Sequence, residues 1–454
     1  MTDARDAVSH GTTPSHAHLW PNTAAVDAMG RLTIAGCDLT ELAQQFGTPL
    51  YVYDEATIRA QCRAFQTAFA ERYPHSAVAY AGKAYLSPAL CHILREENME
   101  LDAVSAGEIA VARMAGFPGR QIHLHGNYKP EAELAAALDA GVGCVVVDSL
   151  YEIERLSALA AARGVRQRVW LRVCPDVPVD THPHDQTGHA DSKFGLDVAS
   201  GAVEAAARAV AESAHLELVG LHAHAGSQVL DAAPIAAVTA LLCELAGHLK
   251  EHDGIEIAEV SPGGGWGVAY VPGEESPPIE RYAEAIVGTL RAQSMRHNLG
   301  SLRLVVEPGR AIVARAGVTL YTAGPRKAVR GGRTFLAVDG GMGDNIRPAL
   351  YGARYHAAVA ARMMAPPEET VCVVGRYCES GDVLVQAVDL PRVAPGDVIA
   401  VPMSGAYQLP MASNYNLVPR PAVVFVRDGR ARLVRRRERL EDLVRFEDGW
   451  EADA

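Results

Sequence analysis

Eight short apolar runs in the first two thirds of the chain each stop at residues able to do chemistry, and this pattern limits the fold more than any other feature. The runs are Val78 to Lys83, Met99 to Glu108, Gln121 to Asn127, Gly143 to Ser149, Val169 to Cys174, Leu216 to Ser227, Ile257 to Gly265 and Leu302 to Arg310. Helix-like stretches separate them. Eight such repeats predict a closed (β/α)8 barrel, in which the carboxyl ends of the strands share one mouth. That mouth would gather Lys83, His125, His224, Gly263 to Gly265, Glu307 and Arg310.

The punctuation between runs fits this reading. Ser87-Pro88 offers an N-cap and a first-turn proline, followed by a Leu90, Ile93, Leu94 stripe. Lys129-Pro130-Glu131 opens a later helix that Gly141 would end. Ser149 and Glu152 have capping-box spacing, and Gly164 closes that segment. The stretch from Cys174 to Lys193, rich in Pro, Asp, His and Thr, reads as a long loop at a strand end.

At 454 residues the chain exceeds one barrel, which takes about 250. From about Val318 the texture turns to β-rich runs, with Asp428-Gly429 as a hairpin signal and Pro395-Gly396-Asp397 as another turn. The run Arg31 to Gly36, the Asp38-to-Glu41 capping box and the run Leu50 to Asp54 belong to one domain or the other, and periodicity does not decide which.

Charge excludes some partners. With 42 Lys plus Arg against 54 Asp plus Glu, the net charge of −12 repels nucleic acid and anionic membranes. No apolar run approaches the roughly 20 residues of a membrane span, and the polar first segment lacks a signal-peptide core. A soluble cytoplasmic protein acting on small molecules is expected. The eight cysteines show no C-x-x-C pair, so reduced buried thiols are expected rather than disulfides or zinc.

The strand ends converge on one ligand. A lysine in a partly dehydrated pocket, such as Lys83, can become a Schiff-base amine. Gly263 to Gly265, with Gly309 and Arg310 in the next loop, can hold a phosphate on backbone N–H groups and a cation. Glu307 would repel phosphate, but it suits a ring nitrogen that must stay protonated. An aldehyde, a phosphate and a pyridinium together define pyridoxal 5′-phosphate. His123 and His125, and His222 and His224, pair on strand faces. We expect one of each pair to reach the pocket, with His224 stacking on the ring and the others as core histidines. A metal site is the competing reading, and no metal is expected. Cys378-Glu379-Ser380-Gly381-Asp382 offers a proton donor, since thiols titrate not far above neutrality. Arg347 and Tyr407 are further candidates, and Arg435 to Arg437 reads as a solvated strand face.

The ordered motifs AYAGKA, DAVSAGE, HGN-x-K, TGHADSKFG, GLHAHAGSQ, GGG, EPGR, DGGMGDNIRPALY, CESGD, GAY, SNYN and PRPA span about Leu32 to Phe446. Here the chain resembles the fold-type III pyridoxal-phosphate decarboxylases, a group that includes alanine racemase-like and ornithine decarboxylase-like proteins, and most closely their branch acting on diaminopimelate. The resemblance implies an α/β (β/α)8 TIM-type barrel plus a C-terminal β-sandwich or β-barrel domain that also takes in the N-terminal segment. The expected division is a polar N-terminus over 1–20, a β-domain segment over 21–54, the barrel over 55–315 and the β-domain over 316–454.

The resemblance also implies roles. Lys83 would carry the cofactor, and His224, Ser227, Gly265, Glu307, Gly309, Arg310 and Tyr407 would contact it. Arg310, Arg347, Tyr351, Glu379, Ser380 and Tyr407 would contact substrate. Cys378 would be the second catalytic residue, reaching into the partner's pocket of a homodimer. The implied reaction is decarboxylation of meso-2,6-diaminopimelate to L-lysine. A related amine-bearing amino acid, a cofactor-binding homologue without activity and a metal-dependent barrel hydrolase are the alternatives. Tyr85, Tyr128, Tyr377 and the HAHAG run depart from the family's commoner residues.

Overall fold

The computed structural model describes residues 11–175 and 192–448. Most of the predicted loop between Cys174 and Lys193 therefore lies outside the described residues. Two compact units emerge, one of residues 59–268 and 275–312, the other of residues up to 58, 269–274 and from 313 onward.

The first unit is the predicted barrel. Its strands are Ser76–Ala81, Glu100–Ala103, Ile122–Leu124, Cys144–Val147, Gln167–Cys174, Leu216–His222, Glu259–Ser261 and Arg303–Val306. All neighbours pair in parallel, and Val306 beside Val78 closes the ring. Ala79, Cys144, Val146, Trp170, Val219 and Val305 fill the interior. Trp170 lies against Gly220, where a Cβ would strike the indole, and its Nε1 donates to Glu259 at 2.8 Å. A packed centre leaves only the strand ends for chemistry.

The helix signals act as read, with one change. Ser87 Oγ accepts from Leu90 N–H, and Leu90, Ile93 and Leu94 are buried in the helix Pro88–Glu96. Gly141 and Gly164 terminate their helices with left-handed backbones. Ser149 caps its helix through Glu152 N–H, but the Glu152 carboxylate faces Lys129 Nζ at 2.8 Å. Lys129 also donates to the Gly126 and Val146 carbonyls, so this buried pair braces the third and fourth strand ends. One helix differs from expectation: Ala233–Asp253 is long and apolar enough to cross a membrane by length and composition. It buries Ile235, Val238, Leu242, Leu245 and Leu249 as a helix of the barrel unit.

The second unit answers where the N-terminal runs belong. Leu50–Asp54 pairs antiparallel with Gly317–Ala328 and parallel with Ala422–Arg427, at the centre of a β-sheet. That sheet continues through Thr334–Val338, Glu369–Val374 and Val383–Leu390 on one side and Arg430–Arg435 on the other. Asp428 and Gly429 both have positive φ in the hairpin between the last two strands, as a two-residue turn requires. Leu32, Ile34, Leu50, Val52, Val318, Leu320, Val424 and Val426 share one core. Residues 269–274 join this unit through Glu274, paired with Arg354, and Tyr270, edge-on to Tyr355. The arginine run is less solvated than expected: Arg436 pairs with Asp442, and Arg437 donates to the Pro49 carbonyl at 2.6 Å.

Glu438 clips the end of this unit, accepting from Arg420 N–H at 2.8 Å, Arg420 Nε at 2.6 Å and Asn414 Nδ2 at 2.6 Å. Burial acts to raise its carboxyl, but the bonds from Arg420 and Asn414 prevail and bring it from 4.5 to about 2. A depressed folded value means the stabilisation is complete above the unfolded value and disappears as pH falls toward 2. Glu438→Gln is expected to cost about 1–2 kcal/mol at pH 7. The gap from wild type should narrow at acid pH, which denaturant unfolding across that range would measure.

Candidate active site

Lys83 ends the first strand in a short 3-10 turn, Gly82–Ala84. A Cβ on Gly82 would strike the Asp102 carbonyl oxygen, so glycine there lets the turn close, and Lys83 itself is exposed. The Lys83 charge acts on Asp102 and on His224.

Around Glu307 the bonding is specific. Ser261 Oγ lies 2.6 Å from Glu307 Oε1, and His222 Nε2 lies 3.0 Å from Glu307 Oε2. Gly263 N–H already points at Ser261 Oγ, so the hydroxyl proton is directed to the carboxylate. Burial opposes ionisation, yet the His222 and His125 rings with these hydrogen bonds hold the Glu307 carboxyl well below its usual range. Burial drives His222 and His125 down, toward neutral imidazoles. Asp102, 3.5 Å from His125 Nε2, is pushed well up by burial and by the Glu307 charge. The directions of these shifts favour negative charge on Glu307 over Asp102.

His224 is also driven well down, first by burial and then by the charges of Lys83 and Arg172. Gly264 N–H donates to its Nδ1 at 3.3 Å, which assigns the proton to Nε2. A neutral ring with a fixed tautomer is a flat apolar platform. Beside it Arg310 Nη2 donates to Ser227 Oγ at 2.7 Å. A Cβ on Gly265 would run into the Gly226 carbonyl, and one on Gly309 would press on Ala81 and Ala84. These glycines let the loops at the strand ends approach one another closely.

Two residues carry more than the sequence reading assigned them. His222, read as a core histidine, binds Glu307 directly, whereas His123 does pack in the core, against Trp170 and Glu100. Ser261 received no role. Its signal was a hydroxyl in an apolar strand, two residues before the triple glycine. Two buried trios, Asp102 with His123 and His125, and His125 with His222 and Glu307, have donor atoms close enough to share a cation. In the second, however, Ser261 and His222 already occupy both Glu307 oxygens.

The groups fit pyridoxal phosphate: an amine for the aldehyde, an ionised carboxylate for the ring nitrogen, and a glycine cradle with Ser227 and Arg310 for the phosphate. Comparison with known proteins agrees. Residues 55–314 match the family model described as pyridoxal-dependent decarboxylase, pyridoxal binding domain. The chain belongs to the pyridoxal-dependent decarboxylases. This family member is 42% identical to the diaminopimelate decarboxylase of Bacillus subtilis over 96% of its own length and 97% of the relative's. It is 44% identical to that of Mycobacterium tuberculosis over 95% and 98%. The structure of diaminopimelate decarboxylase from M. jannaschii in co-complex with L-lysine superposes with a TM-score of 0.88 at 34% identity, covering 95% of this chain and 98% of that one.

The other candidates of this pyridoxal-dependent decarboxylase lie in the β-rich unit. Arg347 is 5% exposed, its Nε donating to Tyr355 OH at 3.1 Å. Its guanidinium carbon lies 5.8, 5.3 and 5.8 Å from the ring centres of Tyr270, Tyr351 and Tyr407. Cys378 is the one exposed thiol of the eight, while Glu379 and Ser380 beside it are exposed. Glu379 accepts from Tyr415 OH at 2.6 Å. Tyr85 and Tyr377 are buried, and Tyr128 is exposed.

Proposed function

We propose that this enzyme converts meso-2,6-diaminopimelate to L-lysine and CO2, as a cytoplasmic homodimer in which the thiol of Cys378 serves the site of the other subunit. The buried, aromatic-braced Arg347 carries the substrate reading. Its planar fork is held by rings and a phenol, an arrangement that pairs with a distal carboxylate better than with a bare amine. The similarity to the diaminopimelate decarboxylases named above supports the same choice.

Bound pyridoxal phosphate supplies the electron sink for the pair released when the carboxylate leaves. The chain does the rest. Lys83 Nζ would hold the aldehyde of the cofactor, and Glu307 would keep a proton on its ring nitrogen. His224 supports the ring face, while Ser227, Gly265, Gly309 and Arg310 anchor the phosphate. Arg310, Arg347, Tyr351, Glu379, Ser380 and Tyr407 orient the amino acid, with Tyr407 also against the cofactor. Cys378 Sγ then delivers a proton to the carbon that lost CO2.

A CO2-release panel tests the substrate. Turnover is expected with meso-diaminopimelate and at least about 100-fold less with D-lysine, D-ornithine, arginine or carboxynorspermidine, since these offer the Arg347 fork no second carboxylate. Preference for any of those amines would overturn the assignment of Arg347.

A further inference from the structure

The turn that carries Cys378 is tied to the glycine loop before Arg347 by one carboxylate. Asp382, 4% exposed, accepts from Met342 N–H at 2.6 Å through Oδ1 and from Tyr377 N–H at 2.8 Å through Oδ2. Each loop contributes a glycine to make room for it: a Cβ on Gly341 or on Gly375 would run into the Asp382 oxygens. A Cβ on Gly343 would likewise strike the Tyr377 ring and hydroxyl. Arg376 N–H donates to the Gly340 carbonyl at 3.0 Å, completing the join.

We propose that Asp382 is a positioning residue, holding the Cys378-Glu379-Ser380 turn in register with the 340–347 loop so that the proton-donating thiol is presented in a fixed position to the other subunit's site. The inference rests on the function proposed above. Its physical basis is that a buried carboxylate accepting two backbone N–H bonds is a strong, directional tie, whereas the turn itself is short and exposed.

The two loops do not depend on Asp382 equally. Arg347 has anchors of its own, its N–H on Asn345 Oδ1 at 3.3 Å and its Nε on Tyr355. Gly341 N–H is held separately by Asp344 Oδ2 at 3.0 Å. The Cys378 turn has Cys378 N–H on Asn416 Oδ1 at 3.1 Å and the Arg376 bond as its other backbone ties. Loosening Asp382 should therefore displace the thiol more than the arginine.

The test uses the full-length holoenzyme as Asp382→Asn and Asp382→Ala. Asparagine is nearly isosteric but has one acceptor oxygen, so its amide N–H must face one of the two donors. Expected for Asp382→Asn is a kcat lower by about tenfold or more with KM changed less than about twofold, because misplacing a reacting group by 1 Å costs up to about 100-fold. Cys378 alkylation by iodoacetamide should rise about fivefold, and the cofactor absorbance should stay that of wild type. If Asp382→Ala does not fold, the asparagine variant decides alone. An unchanged alkylation rate, or a kcat loss matched by cofactor loss, would overturn the proposal. Should wild type fail to decarboxylate diaminopimelate, the function reading falls, while alkylation still reports on the tie.

Discussion

Lys83→Ala is expected to lower kcat/KM on the preferred substrate by at least about 1,000-fold and to remove the visible absorbance of lysine-bound cofactor. The variant loses the amine that holds the aldehyde covalently, and deleting a covalent catalytic group costs on the order of 10³-fold or more. The backbone should tolerate alanine, because the turn is fixed by Gly82 against Asp102 and Lys83 is exposed. The remaining contacts on phosphate and ring nitrogen should still bind the cofactor, seen as retained phosphate after gel filtration. Full activity in this variant would remove the proposed chemistry altogether.

Glu307→Gln should lower kcat by about 10²–10³-fold, the usual cost of deleting a preorganised charge. The neutral amide cannot hold a proton on the ring nitrogen, and its N–H would oppose either Ser261 Oγ or His222 Nε2, both of which now face a carboxylate. The bound cofactor's ultraviolet–visible spectrum and its pH titration give a readout separate from turnover. The ring nitrogen of the variant should lose its proton at lower pH than in wild type. A spectrum and titration identical to wild type would show that Glu307 does not control that proton.

The periodicity of the chain was informative where one residue type has one use. Each predicted run overlaps a barrel strand, and Ser87, Gly141 and Gly164 cap helices as read. It was weaker where a polar residue has several. Glu152 matched a capping box, yet its carboxylate meets Lys129, a partner 23 positions upstream that no local spacing brings forward. Likewise His222 and His224 share a strand face, but only one of them binds Glu307, whose position depends on the eighth strand.

Alternation of apolar residues and the chemical groups at the run ends therefore sufficed for the barrel and the cofactor class, and pointed to the lysine, glutamate and glycines proposed to serve it, because these follow from local backbone geometry. Strand pairing had to be known before Leu50–Asp54 could be assigned between Gly317–Ala328 and Ala422–Arg427. It was equally needed to see that Ser261, His222 and His125 fix the charge on Glu307, and that Asp382 joins two loops. All of these except the Tyr377–Asp382 bond are contacts between residues 40 or more positions apart, and their energy depends on burial and distance that closure of the chain alone creates.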